Sequence, residues 1–130
     1  MEGILTSLVV VHGGVDMPLT EECLGALRRA AGNGWSLRPD PVESVVAALV
    51  VLEDDPQFNA GYGSVLNSDG IVEVDAAIVD GTRMSMGAVG GVSGLRHPSR
   101  VAAAVMMNSS AALLSGVGAR VLADQMQEPD

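Results

Sequence analysis

The sequence predicts one domain, residues 1–130, of α/β (α+β) class, with a mixed or antiparallel sheet lying under helices. Three observations carry this. Composition is globular, because 48% apolar and 18% charged residues lie far from the low-hydrophobicity, high-charge signature of disorder. Apolar residues alternate with period two in some stretches and recur at helical spacing in others. The elements come in the order strand, two helices, loop, hairpin, helices. A chain this long buries roughly two-thirds of its unfolded surface, so one core suffices. With one each of Trp, Tyr and Phe, that core must be filled by Val, Ala, Leu and Met, and small side chains imply close approach of elements.

Leu8 to Val11 is a continuous aliphatic run ended by Gly13-Gly14, the pattern of a strand buried on both faces and central in its sheet. Thr20 can cap a helix whose Leu24, Leu27, Ala30 and Ala31 share one face, and Gly32-Asn33-Gly34 is expected to stop it. A second helix is expected from Asp40 to Glu53, with Pro41 in the first turn, where its missing N–H does no harm, and Pro56 just past the end. It is apolar almost all round and needs cover on more than one side. Residues 57–70, rich in Asn, Gly and Ser, have no sustained period, and irregular segments of that length are usually functional or disordered.

From Ile71 to Val79, residues 72, 74, 76 and 78 alternate with Glu73, Asp75, Ala77 and Val79 as in a half-buried strand, and Asp80-Gly81 turns it. Met84 to Val92 is the natural hairpin partner, with Met86, Ala88 and Val92 set against Ser85, Gly87 and Gly91. Its glycines suggest close approach of another backbone layer. A helix then begins at Pro98, with Val101, Ala104 and Val105 at helical spacing and His97 or Ser99 as cap. Ser109-Ser110 breaks it, and Val117 to Met126 forms the last helix, its start blurred by Gly116 and Gly118.

Net charge is −9, which repels phosphate and makes nucleic acid or an anionic membrane a poor partner. The single cysteine, Cys23, has no internal disulfide partner, and the chain opens with no charged region followed by an apolar one, so a cytoplasmic protein is expected. The apolar stretch 42–52 is interrupted by Glu43 and too short to span a bilayer. Gly61-Tyr62-Gly63 lacks the third glycine of a dinucleotide fingerprint and follows a helix rather than a strand. Met84, Met86, Met106 and Met107 sit at strand or helix spacing, as packing residues do. Cys23 fits as a small core residue. Glu73 and Asp75 share one strand face about 7 Å apart; that separation superficially resembles a glycosidase carboxylate pair, but polar alternation on a half-exposed strand explains it better. His12 ends a strand beside two glycines, placed either to hydrogen-bond a loop or to act as a base or ligand, with no second ligand at metal-site spacing.

The most distinctive stretch runs Leu52-Glu53-Asp54-Asp55-Pro56-Gln57-Phe58-Asn59-Ala60-Gly61-Tyr62-Gly63-Ser64-Val65-Leu66-Asn67. It closely resembles the signature of the plant-type L-asparaginase and isoaspartyl peptidase family. Val9-Val10-Val11-His12-Gly13-Gly14, Glu73 to Gly81, Gly87-Ala88-Val89, His97-Pro98 and Leu113 to Ala119 agree with that family in order. The resemblance covers nearly the whole chain. It implies an N-terminal nucleophile hydrolase, an αββα sandwich in which a precursor cleaves itself and frees a threonine at the start of a β subunit. The freed α-amine serves as the base that activates that hydroxyl. The implied activity is hydrolysis of L-asparagine or β-aspartyl dipeptides.

The family's threonine follows a glycine and precedes Val-Gly-Ala. Thr6, Thr20 and Thr82 stand in other contexts, so no residue here is expected to be the nucleophile. This chain is read as an α-subunit-like portion that ends before the processing site and lacks the β-subunit strands. The resemblance also implies a structural sodium ion, held by the backbone carbonyls of Leu52, Glu53, Asp55, Phe58, Ala60 and Tyr62. A helix C-terminus leaves carbonyls without partners, so the placement is chemically reasonable; a solvated acidic helix end is the plain alternative for Glu53-Asp54-Asp55. Asn59 matches an asparagine packed beside the catalytic threonine, or it merely forms a turn before Ala60-Gly61. The sequence departs from the family at Arg38-Pro39-Asp40-Pro41, where Asp40 remains a good N-cap, and at Ser109 to Ala112. A partial sandwich would leave an apolar face uncovered, so a β-subunit-type partner or self-association is expected. A non-catalytic remnant serving as a structural or binding module is the other reading.

Overall fold

The computed structural model describes residues 7–15 and 20–130. Two helices, α1 (Glu21–Ser36) and α2 (Pro41–Glu53), are followed by a short 3-10 turn at Gly61–Gly63. A hairpin of β1 (Val74–Asp80) and β2 (Ser85–Val92) comes next. Then come α3 (Pro98–Asn108), β3 (Leu113–Ser115) and α4 (Gly116–Met126). The sheet has the order β1-β2-β3, with β1 antiparallel and β3 parallel to β2, so it is mixed, as expected.

Thr20 accepts from the Cys23 N–H and starts α1. The helix does not stop at Gly32-Asn33-Gly34 but continues to Ser36. The buried face, Cys23, Ala26, Ala30 and Gly34, is built from small residues, and a Cβ on Gly34 would lie 2.7 Å from the Ser44 carbonyl of α2. Gly34 is where two helix backbones touch. Contact with α2 therefore overrides the glycine's poor helix propensity, which costs about 1 kcal/mol. Asp40 caps α2 through hydrogen bonds from the N–H groups of Val42 and Glu43 at 3.0 and 3.1 Å. Replacing Asp40 with alanine is expected to cost about 1 kcal/mol, read as a lower denaturant midpoint.

The main core lies between the sheet and α3, α4 and α2, with Val74, Ile78, Val89, Val92, Val101, Val105, Ala119 and Ala123 among its buried members. A second cluster joins α1 and α2 around Phe58. In β2 the buried set is Gly87, Ala88, Val89 and Val92, and Met86 is exposed, so the expected phase of this strand is wrong. A bulge explains this. Val74 pairs with Val92 but Ala76 with Val89, so two residues of β2 oppose Asp75, the alternation shifts, and Gly91 takes a left-handed φ of +58°. Asp75 Oδ1 accepts from its N–H at 2.8 Å.

Leu8 to Val11 forms no strand; Leu8 is 81% and Val10 80% exposed. The segment has no ladder partner among the described residues, and an aliphatic run becomes a buried strand only when another strand pairs with it. The third strand is instead Leu113–Ser115, three residues too short to show a period. Of the four methionines read as packing residues, only Met106 packs against the core, whereas Met84, Met86 and Met107 are exposed. No described helix is long and apolar enough to cross a membrane.

Candidate functional site

The distinctive segment leaves the end of α2 and folds back over it. Asp55 N–H donates to the Leu52 carbonyl, Phe58 N–H to the Asp55 carbonyl and Ala60 N–H to the Phe58 carbonyl, at 3.3, 3.2 and 2.8 Å. The Phe58 ring is buried among Ala26, Ala30, Ala48 and Leu52 and pins the turn to both helices. Two glycines let the chain close. A Cβ on Gly61, which has φ +56°, would collide with the Arg96 and Glu53 carbonyls. One on Gly63 would collide with the Phe58 carbonyl and lie 2.7 Å from that of Pro56. Carbonyl oxygens thus crowd together where only hydrogen is tolerated.

This cradle suits an alkali cation in its donor chemistry. A carbonyl oxygen has two lone pairs, so those of Leu52, Asp55 and Phe58 keep one free after accepting an N–H. Among the described residues no group of three His, Cys, Asp or Glu side chains is placed to hold a metal ion, so a cation here would rely on backbone oxygens.

The acidic triplet at the helix end divides. Asp54 is exposed and Asp55 bonds the Gln57 N–H. Glu53, in contrast, is buried and reaches α3, where its carboxylate accepts from the Ser99 N–H at 3.0 Å and the Ser99 hydroxyl at 2.9 Å. Neither His97 nor Ser99 caps α3 with its own side chain in the expected way; His97 holds the N-cap position without a side-chain capping bond, and the cap comes from α2. Burial pushes the Glu53 carboxyl above its usual value despite the two bonds from Ser99. For Asp54 burial acts in the same direction, but hydrogen bonds from His97 and Arg96 outweigh it and hold the carboxyl below the ordinary range. Sequence reading missed the Glu53–Ser99 pair. Its one signal is a glutamate closing a helix that is otherwise apolar.

A cleft of about 570 Å³ opens between this loop, β1 and residues 12–14. His12, Asn59, Ser64, Glu73 and Asp75 line it, with Glu53 and Ser99 behind. Asn59 Oδ1 accepts from the Val65 N–H at 3.1 Å, a turn-closing bond, while its place on the cleft wall leaves it facing the open space. His12 Nδ1 accepts from the Gly14 N–H at 3.1 Å, a loop contact. Glu73 takes a bond from Asn67 at 2.8 Å and Asp75 holds the bulge; each carboxylate has a local structural partner. Cys23 is buried with its Sγ 3.0 Å from Gln57 Oε1.

A model of a family described as Asparaginase matches residues 6–130. The isoaspartyl peptidase/L-asparaginase of Macaca fascicularis is 41% identical over 133 residues, covering 97% of this chain and 43% of that protein. The human protein of the same name is 40% identical with the same coverage. The plant-type L-asparaginase of Pyrococcus abyssi is 41% identical over 128 residues, covering 94% of this chain and 42% of that protein. The chain thus spans about two-fifths of the length of these relatives. With the signature loop, its glycine-lined cradle and a match running from residue 6 to the last residue, the chain belongs to the asparaginase family.

Proposed function

We propose that the chain is the α-subunit-type part of an amidohydrolase acting on L-asparagine, β-aspartyl dipeptides or both, within the cytoplasm. The observation that carries this is 40% or greater identity to isoaspartyl peptidase/L-asparaginases across nearly the whole chain. In this reading the attacking threonine comes from residues beyond these 130, because Thr6, Thr20 and Thr82 each carry an acylated nitrogen that cannot serve as the base. The chain's own contribution is scaffold. The carbonyls of Leu52, Glu53, Asp55, Phe58, Ala60 and Tyr62 would hold a sodium ion, whose part is to fix the turn. Asn59 would then stand on the cleft wall beside the threonine.

The completing chain is of β-subunit type, and the cleft supports that choice. Among the described residues, residues 7–11 have no ladder partner, and the outer edge of β1 lies across the cleft from His12-Gly13-Gly14. An extended strand entering between them would satisfy both backbones. A second reading, a non-catalytic module that self-associates, is favoured by the exposed Val79, Met86 and Leu113 on the sheet.

Purified alone, the chain is expected to release no ammonia from asparagine or a β-aspartyl dipeptide above a mock-purified control. Co-expression with a β part from one of the relatives is expected to yield a complex that does. Activity that follows the isolated chain through chromatography would overturn the division of labour. A complex that assembles but stays inert would favour the non-catalytic module.

A further inference from the structure

Glu53, the last residue of α2, takes part in two structures at once. Its backbone carbonyl belongs to the cradle, 2.6 Å from where a Cβ on Gly61 would stand. Its side chain is buried and runs to the start of α3, where the carboxylate accepts from the Ser99 N–H at 3.0 Å and the Ser99 hydroxyl at 2.9 Å. The carbonyl of Arg96, two residues before α3 begins, crowds the same point beside Gly61. Among the described residues no backbone N–H donates to either carbonyl. Two oxygens of like partial charge, with their lone pairs free, therefore converge where the signature loop meets the start of α3. A bound cation relieves such an arrangement.

The contact with Ser99 is of a kind that responds to this. The first N–H groups of a helix have no intrahelical acceptor, so the Ser99 N–H depends on Glu53 Oε1. Aligning a glutamate carboxylate with two donors costs rotamer freedom, and a backbone already held in place lowers that cost. We propose that Glu53 is a positioning residue that couples cation binding in the cradle to the start of α3. With an alkali cation held by the carbonyls, the Glu53–Ser99 bonds tighten; with those bonds made, the cation is held more firmly. This coupling rests on the alkali-cation reading of the loop. Arg96 adds two ties between the same stretches, since its Nε lies 2.6 Å from Asp54 Oδ1 and its guanidinium 5.5 Å from the centroid of the Tyr62 ring. Pro98 and Ser99 line the cleft together with Asn59, so cradle occupancy bears on the shape of the site.

The test uses the full chain, with its partner if one copurifies, at one pH and one ionic strength, with N-methylglucamine chloride exchanged stepwise for sodium chloride. Amide shifts of Phe58, Ala60 and Tyr62 report sodium binding, and hydrogen-exchange protection of the Ser99 amide reports the bond. Saturating sodium is expected to raise that protection about tenfold. Coupling of two binding events is reciprocal. Glu53→Asp keeps the charge and the carbonyl but is one methylene too short for Ser99, and it is expected to weaken sodium binding by the same factor. Ser99→Ala, which removes only the hydroxyl, is expected to weaken it by a smaller factor, and Glu53→Gln, which can bond both Ser99 groups, to keep the response of the Ser99 amide. A bond that merely supports the fold would lower stability in these variants without moving the sodium affinity. Loop shifts with unchanged Ser99 protection, or a sodium affinity that survives both Glu53→Asp and Ser99→Ala, overturn the coupling and leave the cation reading standing. No sodium-dependent shift in the loop overturns both.

Discussion

Gly87→Val is expected to lower unfolding stability by at least about 3 kcal/mol, a large share of the roughly 5–15 kcal/mol available to a domain. Helix α3 lies directly on β2 at this point. A Cβ on Gly87 would collide with the Met106 nitrogen and the Ala102 carbonyl, and both are backbone atoms inside a helix, which no rotamer change can move aside. Relief requires α3 to lift from the sheet, which would open the contacts of Val101, Ala102 and Val105, all three fully buried. The control is Gly81→Ala, since a Cβ there meets nothing within 4 Å; it should stay within about 0.5 kcal/mol of the parent. Equal denaturant midpoints for Gly87→Val and the parent would mean that α3 does not rest on β2 as described.

Gly87 also shows which features could be read from the sequence. Its presence in an otherwise apolar strand signalled a close backbone layer, but not that the layer would be α3. Features encoded by neighbouring residues were legible: Asp40-Pro41 and Pro56 bound α2, and Asp80-Gly81 turns the hairpin. Features decided by distant contacts were not. Gly34 reads locally as a stop and serves instead as a helix contact. The phase of β2 depends on a bulge opposite Asp75, and Leu8 to Val11 has strand composition but no strand beside it. In the candidate site, the signature gave the loop and its glycines. The partner of Glu53 lies 46 residues away at Ser99, a separation that no local pattern reports.

Glu53→Ala is expected to cost about 2–4 kcal/mol, because it strips the acceptor from two buried donors, the N–H and the hydroxyl of Ser99, and leaves a void between α2 and α3. Glu53→Gln separates hydrogen bonding from charge. Its amide oxygen can accept from the Ser99 N–H while its NH₂ donates to the Ser99 oxygen, so near neutral pH it should fall within about 1 kcal/mol of the parent. The two then diverge with pH in a defined direction. Burial raises the Glu53 carboxyl above 4.5 in the folded chain, so the folded state holds this proton to higher pH than the unfolded state does. The stabilising contribution is fully present below the unfolded value and is lost as pH rises through the folded one. Between about pH 4 and pH 7 the parent should therefore lose stability relative to Glu53→Gln. Taking the difference between the two chains cancels the titration of the other carboxylates, and urea midpoints across that range measure it. A difference that stays constant, or grows in favour of the parent as pH rises, would show that the hydrogen bonds from Ser99 outweigh burial at Glu53, and that the start of α3 is held by an ordinary ionised cap.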